Sequence, residues 1–184
     1  EFARLGKDLV VSTGMATLSD VEFALAVIAH ARTHQSQPTS SLDIWQSWSQ
    51  PDVRAKVNNG VTLLHCTSQY PTPMDQVNLN AMDTLRDAFG LPVGYSDHTQ
   101  GILVPIAAVA RGATIIEKHF TISRALPGPD HAASLEPDEL KQMVHDIRAL
   151  RTCFGTGYKS PQPNEWNTRK AARKHIIAAQ DIPA

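Results

Sequence analysis

Short apolar runs closed by polar clusters alternate along the chain with segments whose apolar residues recur at helical spacing. Residues 8–13 (DLVVST), ended by Gly14, predict a buried strand. Ser19 and Glu22 match a capping box, predicting a helix through VEFALAVIAHAR to about Arg32. Residues 61–66 (VTLLHC) predict a second strand, running into Thr67, Ser68, Gln69 and Tyr70. The Tyr-Pro-Thr-Pro at 70–73 predicts a rigid turn, because proline fixes φ and restrains its predecessor. Leu79, Met82, Leu85 and Phe89 predict a helix stopped by Gly90. A third strand over 92–95 follows, then a helix over 101–111 with Pro105 near its first turn and Gly112 closing it. Residues 113–120 predict a fourth strand. Pro137 opens a helix with Leu140, Met143, Val144, Ile147 and Leu150 as one apolar stripe.

Three stretches break the alternation. Residues 34–60 are rich in Gln, Ser, Pro and Asn, with Leu42, Ile44, Trp45, Trp48 and Val53 at loosely helical intervals. They read as an insert, a surface excursion with a short helix or two that packs Trp45 or Trp48 onto the body. Residues 155–168 are polar and proline-rich, the composition of a linker, and 169–184 read as the first strand of a further unit. The body is therefore 1–154. Its strand–helix alternation means a parallel sheet with right-handed crossovers. Four units make either a small open sheet or half of a (β/α)₈ barrel, which needs ~250 residues. The first residues read like the middle of a protein and the last ones have no natural end, which favours the half-barrel.

Composition adds mainly exclusions. The 184 residues are 42% hydrophobic and 19% charged, enough for one ordinary core. A net charge of −1 advertises neither nucleic acid nor an anionic membrane as partner. No apolar run approaches the ~20 residues of a membrane span. Two cysteines, Cys66 and Cys153, do not make a disulfide framework, and a reducing cytoplasm is the expected location.

The candidate chemistry lies where parallel strands end, since polar groups past their C-termini face a shared site. Those groups are Ser12 and Thr13; Thr67, Ser68, Gln69 and Tyr70; Ser96, Asp97 and His98; Glu117 and His119. A PGPD turn adds Asp130. Neighbouring strands lie about 4.8 Å apart, so His98 and His119 can share one metal ion. Two imidazoles suit Mn, Fe, Co or Zn with positions left open; alternatively each bonds backbone at its strand end. Asp97 and Glu117 are placed to orient these imidazoles, or to cap a helix or pair with Lys118. Strand alternation puts Lys118 on the face opposite Glu117 and His119, against a Schiff-base role. His30, His34 and His145 read as solvated or satisfied in the core, His65 and His131 point either way, and Cys66 reads as an inert buried thiol. No P-loop, GxGxxG, HExxH or GxSxG motif is present. A metal-dependent hydrolase with Asp97, Glu117 or Asp130 as third ligand fits these residues, as does a non-catalytic scaffold.

The segments STGMATLSDVE (12–22), LLHCTSQYPTP (63–73), residues 77–120 with their YSDH and EKH motifs, and LPGPDHAASLEPDEL (126–140) closely resemble the N-acetylneuraminate synthase family, which includes the legionaminate and pseudaminate synthases. The resemblance implies a (β/α)₈ barrel followed by a small antifreeze-like domain. It implies condensation of phosphoenolpyruvate with an open-chain N-acylated hexose such as N-acetylmannosamine, giving a nine-carbon 2-keto acid and phosphate. It further implies that His98 and His119 hold Mn²⁺ or Mg²⁺, and that Ser12, Ser68 and Ser96 contact phosphoenolpyruvate. Tyr70 and Asp130 lie near the sugar, and Glu117 is an active-site acid; these three are the implied catalytic groups. RKAARKHIIAAQDI (169–182) resembles the start of the antifreeze-like domain, which in the family reaches across a homodimer. Two departures stand out: Gln69 occupies a position that is acidic in many members, and the first four βα units, which supply phosphate-binding lysines, have no counterpart here.

Overall fold

A computed structural model describes residues 1–174 and 179–180. The chain divides into two compact units, Glu1–Arg151 and Thr152–Ala184. In the first, β1 (Leu9–Ser12), β2 (Val61–Cys66), β3 (Val93–Asp97) and β4 (Ile116–Lys118) form one parallel sheet in the order β1-β2-β3-β4. Every strand pairs with its successor in sequence. The reversal of strand order that marks a doubly wound sheet is absent among the described strands, and a barrel winds in this way.

Helices α1 (Leu18–Thr33), α4 (Ala81–Phe89) and α5 (Leu103–Ala110) cover one face of that sheet. Leu9, Val11, Val61, Leu63, Val93, Tyr95 and Ile116 meet Val21, Leu25, Met82, Leu85, Val104 and Ala108 there. The residues between them on each strand face the other way, as pleating requires. On that second face Val10 is 52% exposed, and Ser12 and Glu117 are exposed. At Gly94, on the same face, a Cβ would fall 2.5 Å from Leu64 Cδ2 and from the Ile115 carbonyl oxygen, so only glycine lets the chains approach this closely.

Several local expectations change. The cap of α1 is Thr17, not Ser19: its hydroxyl accepts from the Asp20 N–H while Asp20 Oδ2 accepts from the Thr17 N–H at 2.8 Å. The Thr17 hydroxyl, which also donates to Asp20 Oδ2 at 2.6 Å, and then the Thr17 N–H hold the Asp20 carboxyl below its ordinary range. Glu22, freed from the predicted cap, accepts from Trp48 Nε1 at 2.9 Å. That bond belongs to the larger correction, because residues 34–60 are no surface excursion. They form α2 (Ser41–Trp48), α3 (Pro51–Arg54) and a 3₁₀ turn at Ala55–Val57, and Ile44, Trp48, Val53 and Val57 all enter the main core. Arg32 ties the segment's end to the sheet through the carbonyls of Lys56 (2.8 Å), Asn59 (2.7 Å), Lys7 and Gly60. β3 extends through Ser96 and Asp97, and β4 shrinks to three residues. α4 stops at Gly90, φ 64°, as its position predicts. α6 (Pro137–Cys153) starts at the predicted proline.

In the second unit a 3₁₀ turn at Pro163–Glu165 runs into α7 (Trp166–Ala172), with the Glu165 carboxylate accepting from the Gln162 N–H at 2.6 Å. The expected linker thus holds a helix, and residues 169–172 are helical rather than extended. Residues 175–178 and 181–184 of that expected strand lie outside the described residues. No helix among the described residues is long and apolar enough to cross a membrane.

Candidate active site at the strand ends

The site starts from a turn. Asp97, the last residue of β3, accepts the Thr99 N–H on Oδ1 (3.0 Å) and the Thr99 hydroxyl on Oδ2 (3.1 Å), folding residues 97–99 into an Asx turn with His98 at its centre. His98 Nδ1 lies 2.7 Å from the Thr67 carbonyl oxygen beyond β2. A carbonyl can only accept, so Nδ1 carries the proton and Nε2 keeps its lone pair. His119, one residue past β4, has its ring centroid 5.2 Å from that of His98, the planes 69° apart. Tyr70 completes the group, its ring 4.3 Å from His119 and 5.4 Å from His98.

Asp130 arrives from the loop after β4. Its Oδ2 lies 3.9 Å from His119 Nδ1, and its carbonyl accepts from the Tyr70 hydroxyl (3.0 Å) and from Ser134 Oγ (2.6 Å). The loop is held by its own bonds. The Arg124 guanidinium donates to the Ser134 carbonyl (3.0 Å) and pairs with Glu139, and the Arg124 N–H donates to Glu136. Arg124 holds the Glu139 carboxyl below its ordinary range. Ser134, buried at the foot of the loop, escaped the sequence reading because the segment there carries no periodicity.

The expected residues therefore separate into groups. His98, His119, Tyr70 and Asp130 come together. Ser96 Oγ donates to Glu117 Oε1 at 2.6 Å, a cross-strand pair at one register position. Ser12 and Ser68 are exposed at the ends of β1 and β2, and Ser68 lies so close to the turn after β1 that a Cβ on Gly14 would fall 2.6 Å from its Oγ. Among the described residues no hydrogen bond joins Asp97 or Glu117 to the ring of His98 or His119. Asp97 pairs with Lys118 on the helix-covered face, where alternation placed that lysine, while Glu117 serves Ser96. Cys66 is half-buried, its Sγ 3.9 Å from His98 Nδ1, so it is less enclosed than a buried core thiol. His65 donates Nε2–H to the Val77 carbonyl (2.8 Å), and His131 Nδ1 meets Thr121 Oγ1 (2.7 Å).

The pair His98 and His119 fits a divalent ion by its chemistry: the Thr67 carbonyl on Nδ1 frees the His98 Nε2, as at metal-binding imidazoles, and the Asp130 carboxylate stands 3.9 Å from the His119 Nδ1, beyond hydrogen-bond length. Among the described residues no group of three or more His, Cys, Asp or Glu side chains is disposed to hold a metal. Of the third ligands a hydrolase would need, Asp97 is taken by Lys118 and Glu117 by Ser96, which leaves Asp130 beside His119. A two-histidine site keeps its other positions open to water and substrate.

Residues 1–159 match the NeuB family. The chain is 43% identical over 182 residues to an N,N'-diacetyllegionaminic acid synthase of Campylobacter jejuni, covering 99% of this chain and 48% of that protein. It is 43% identical over 174 residues to the N,N'-diacetyllegionaminic acid synthase of Legionella pneumophila, covering 95% and 43%. Among solved structures, the N-acetylneuraminic acid (sialic acid) synthetase of Leptospira borgpetersenii in complex with citrate superimposes with a TM-score of 0.68 at 33% identity, over 95% of this chain and 53% of that one. The chain thus spans about half the length of the relatives it matches, and its four parallel strands correspond to half of a barrel.

Proposed function

The chain belongs to the NeuB family, and on that footing we propose that it is the metal- and sugar-binding half of a phosphoenolpyruvate-dependent synthase of nine-carbon 2-keto acids. In the reaction the methylene carbon of phosphoenolpyruvate bonds to the aldehyde carbon of an open-chain N-acylated hexose, water is consumed and inorganic phosphate is released. The observation that carries this reading is the convergence of His98, His119, Tyr70 and Asp130 at the C-terminal edge of the sheet.

His98 and His119 hold Mn²⁺ or Mg²⁺, which when bound supplies Lewis-acid polarisation of the sugar aldehyde. The Tyr70 ring walls the site, and the exposed Asp130 carboxylate takes sugar hydroxyls. Ser12, Ser68 and Ser96, from three successive strand ends, offer hydroxyls to phosphoenolpyruvate. Glu117, on the same face as Ser12 and hydrogen-bonded to Ser96, stands beside that substrate and serves as the acid. Val10, Ser12 and Glu117 reach water on the second face of the sheet although Leu64 and Ser96 there are buried, and among the described residues no strand pairs with the outer edge of β1 or β4; both support a further point. Activity requires the other half of the barrel, in a cytoplasmic homodimer whose antifreeze-like domain begins within 169–184.

The test combines Mn²⁺ titration of the 184-residue chain with a phosphate-release assay using phosphoenolpyruvate and N-acetylmannosamine. Binding of Mn²⁺ that His98→Ala abolishes, without turnover by the chain alone, is the expected result. A titration unchanged by His98→Ala overturns the site. Turnover by the isolated chain at an ordinary enzyme rate of roughly 1–10³ s⁻¹ overturns its incompleteness.

A further inference from the structure

We propose that the buried Lys118–Asp97 pair is a positioning clip that sets the spacing of His98 and His119, an inference that rests on the metal-site reading above. β4 has only three residues, and its last register pair with β3 is Asp97↔Lys118. The next residue on each strand is a histidine. The backbone ladder therefore ends one step before the two side chains whose separation matters most.

What replaces the ladder is a charged cluster. Lys118 Nζ lies 2.6 Å from Asp97 Oδ2 and also donates to the Thr99 carbonyl. Asp97 meanwhile accepts both the N–H and the hydroxyl of Thr99. The carboxylate thus makes the turn that carries His98, and the lysine fastens that turn to the strand that carries His119. The rung before, Ser96↔Glu117, is also bonded through its side chains, on the opposite face. Two consecutive rungs are pinned immediately before the histidines, while the one before them, Tyr95↔Ile116, is apolar.

Stability alone does not account for this pair. Its side chains are 3% and 0% exposed, and replacing a buried ion pair by well-packed apolar groups is commonly neutral or stabilising. A fixed geometry is what a charge pair with these added hydrogen bonds provides and two apolar side chains do not.

The test is the double exchange Asp97→Leu/Lys118→Met, which removes both charges and leaves neither unpaired, with Lys118→Arg as the conservative variant. Expected are a retained far-UV circular dichroism spectrum, faster amide exchange at Thr99, and Mn²⁺ affinity about 10–100-fold weaker, the size of effect seen when groups behind metal ligands are removed. Lys118→Arg recovers part of that affinity. A folded double variant that binds Mn²⁺ as the parent does overturns the clip. If the double variant does not fold, Asp97→Asn, which keeps an acceptor for the Thr99 amide, is read by the same criteria. If the parent itself binds no Mn²⁺, the metal reading falls, and the clip is judged separately by ring-proton contacts between His98 and His119. Their loss in the variant upholds the clip, and their persistence overturns it.

Discussion

Two histidine pairs lie among the described residues, and proximity does not distinguish them. His30 and His34 stack at 4.3 Å with planes 8° apart, closer than His98 and His119 at 5.2 Å and 69°. The first pair belongs to packing. His30 is buried in α1, its Nδ1 2.8 Å from Ser47 Oγ of α2, and His34 Nδ1 lies 2.8 Å from Thr33 Oγ1. His30 Nε2 is enclosed with no partner among the described residues, so its lone pair has no route to an ion. The second pair is half-exposed at a strand edge, with its polar partners on the Nδ1 side of both rings. A histidine pair is a candidate site when its unused nitrogens are accessible and its used ones are anchored.

The largest test of this contrast is metal affinity. His98→Ala or His119→Ala is expected to weaken Mn²⁺ binding by at least about 100-fold, beyond the effect of removing a group behind the ligands, while His30→Ala leaves it unchanged. Isothermal titration on the three variants decides, and a loss with His30→Ala would erase the contrast. Stability should divide the other way. His30→Ala opens a gap between α1 and α2 and is expected to cost about 1–3 kcal/mol in urea unfolding, against about 0.5 kcal/mol or less for His98→Ala. Equal costs would mean that the strand-end pair is structural too.

The smallest effect is that of pH. Burial lowers the His30 pKa, and the facing His34 and Arg4 act in the same direction while Asp43 opposes them. The unfolded imidazole takes up its proton near pH 6.5, the folded one only at lower pH. Below about pH 6.5 the unfolded state therefore binds more protons, and stability falls as pH drops through the folded value. Above that range the contribution is fully present. Melting temperature against pH should slope in this window for the parent and flatten in His30→Gln; parallel curves would assign the slope elsewhere.

Local patterns carried much of the fold. The apolar run of β2 and the helical stripes of α4 and α6 were legible because each element's apolar residues are written in its own few positions. In residues 34–60 the expected packing of Trp48 on the body holds, with Ile44 and Val53 beside it, but the polar composition around them suggested a surface excursion rather than part of the main core. Trp48 enters the core with its indole N–H satisfied by Glu22 on another helix. The cap of α1 shifted for a simpler reason: Thr17-x-x-Asp20 and Ser19-x-x-Glu22 are competing boxes in one stretch, and Glu22 was needed elsewhere.

The sequence by itself determined that strands and helices alternate, that the strands run parallel, and that His98 and His119 follow neighbouring strands, since all of this is set by spacing along the chain. Which carboxylate serves which imidazole was decided only by the tertiary structure. Asp97 and Glu117, each within two residues of a candidate ligand, turn to Lys118 and Ser96, because pleat parity and the β3–β4 register fix what a strand residue can reach. Asp130, distant in sequence, comes within 3.9 Å of His119 through a loop braced by Arg124, Ser134 and Tyr70. Those contacts connect residues up to 64 positions apart, and no local periodicity encodes them.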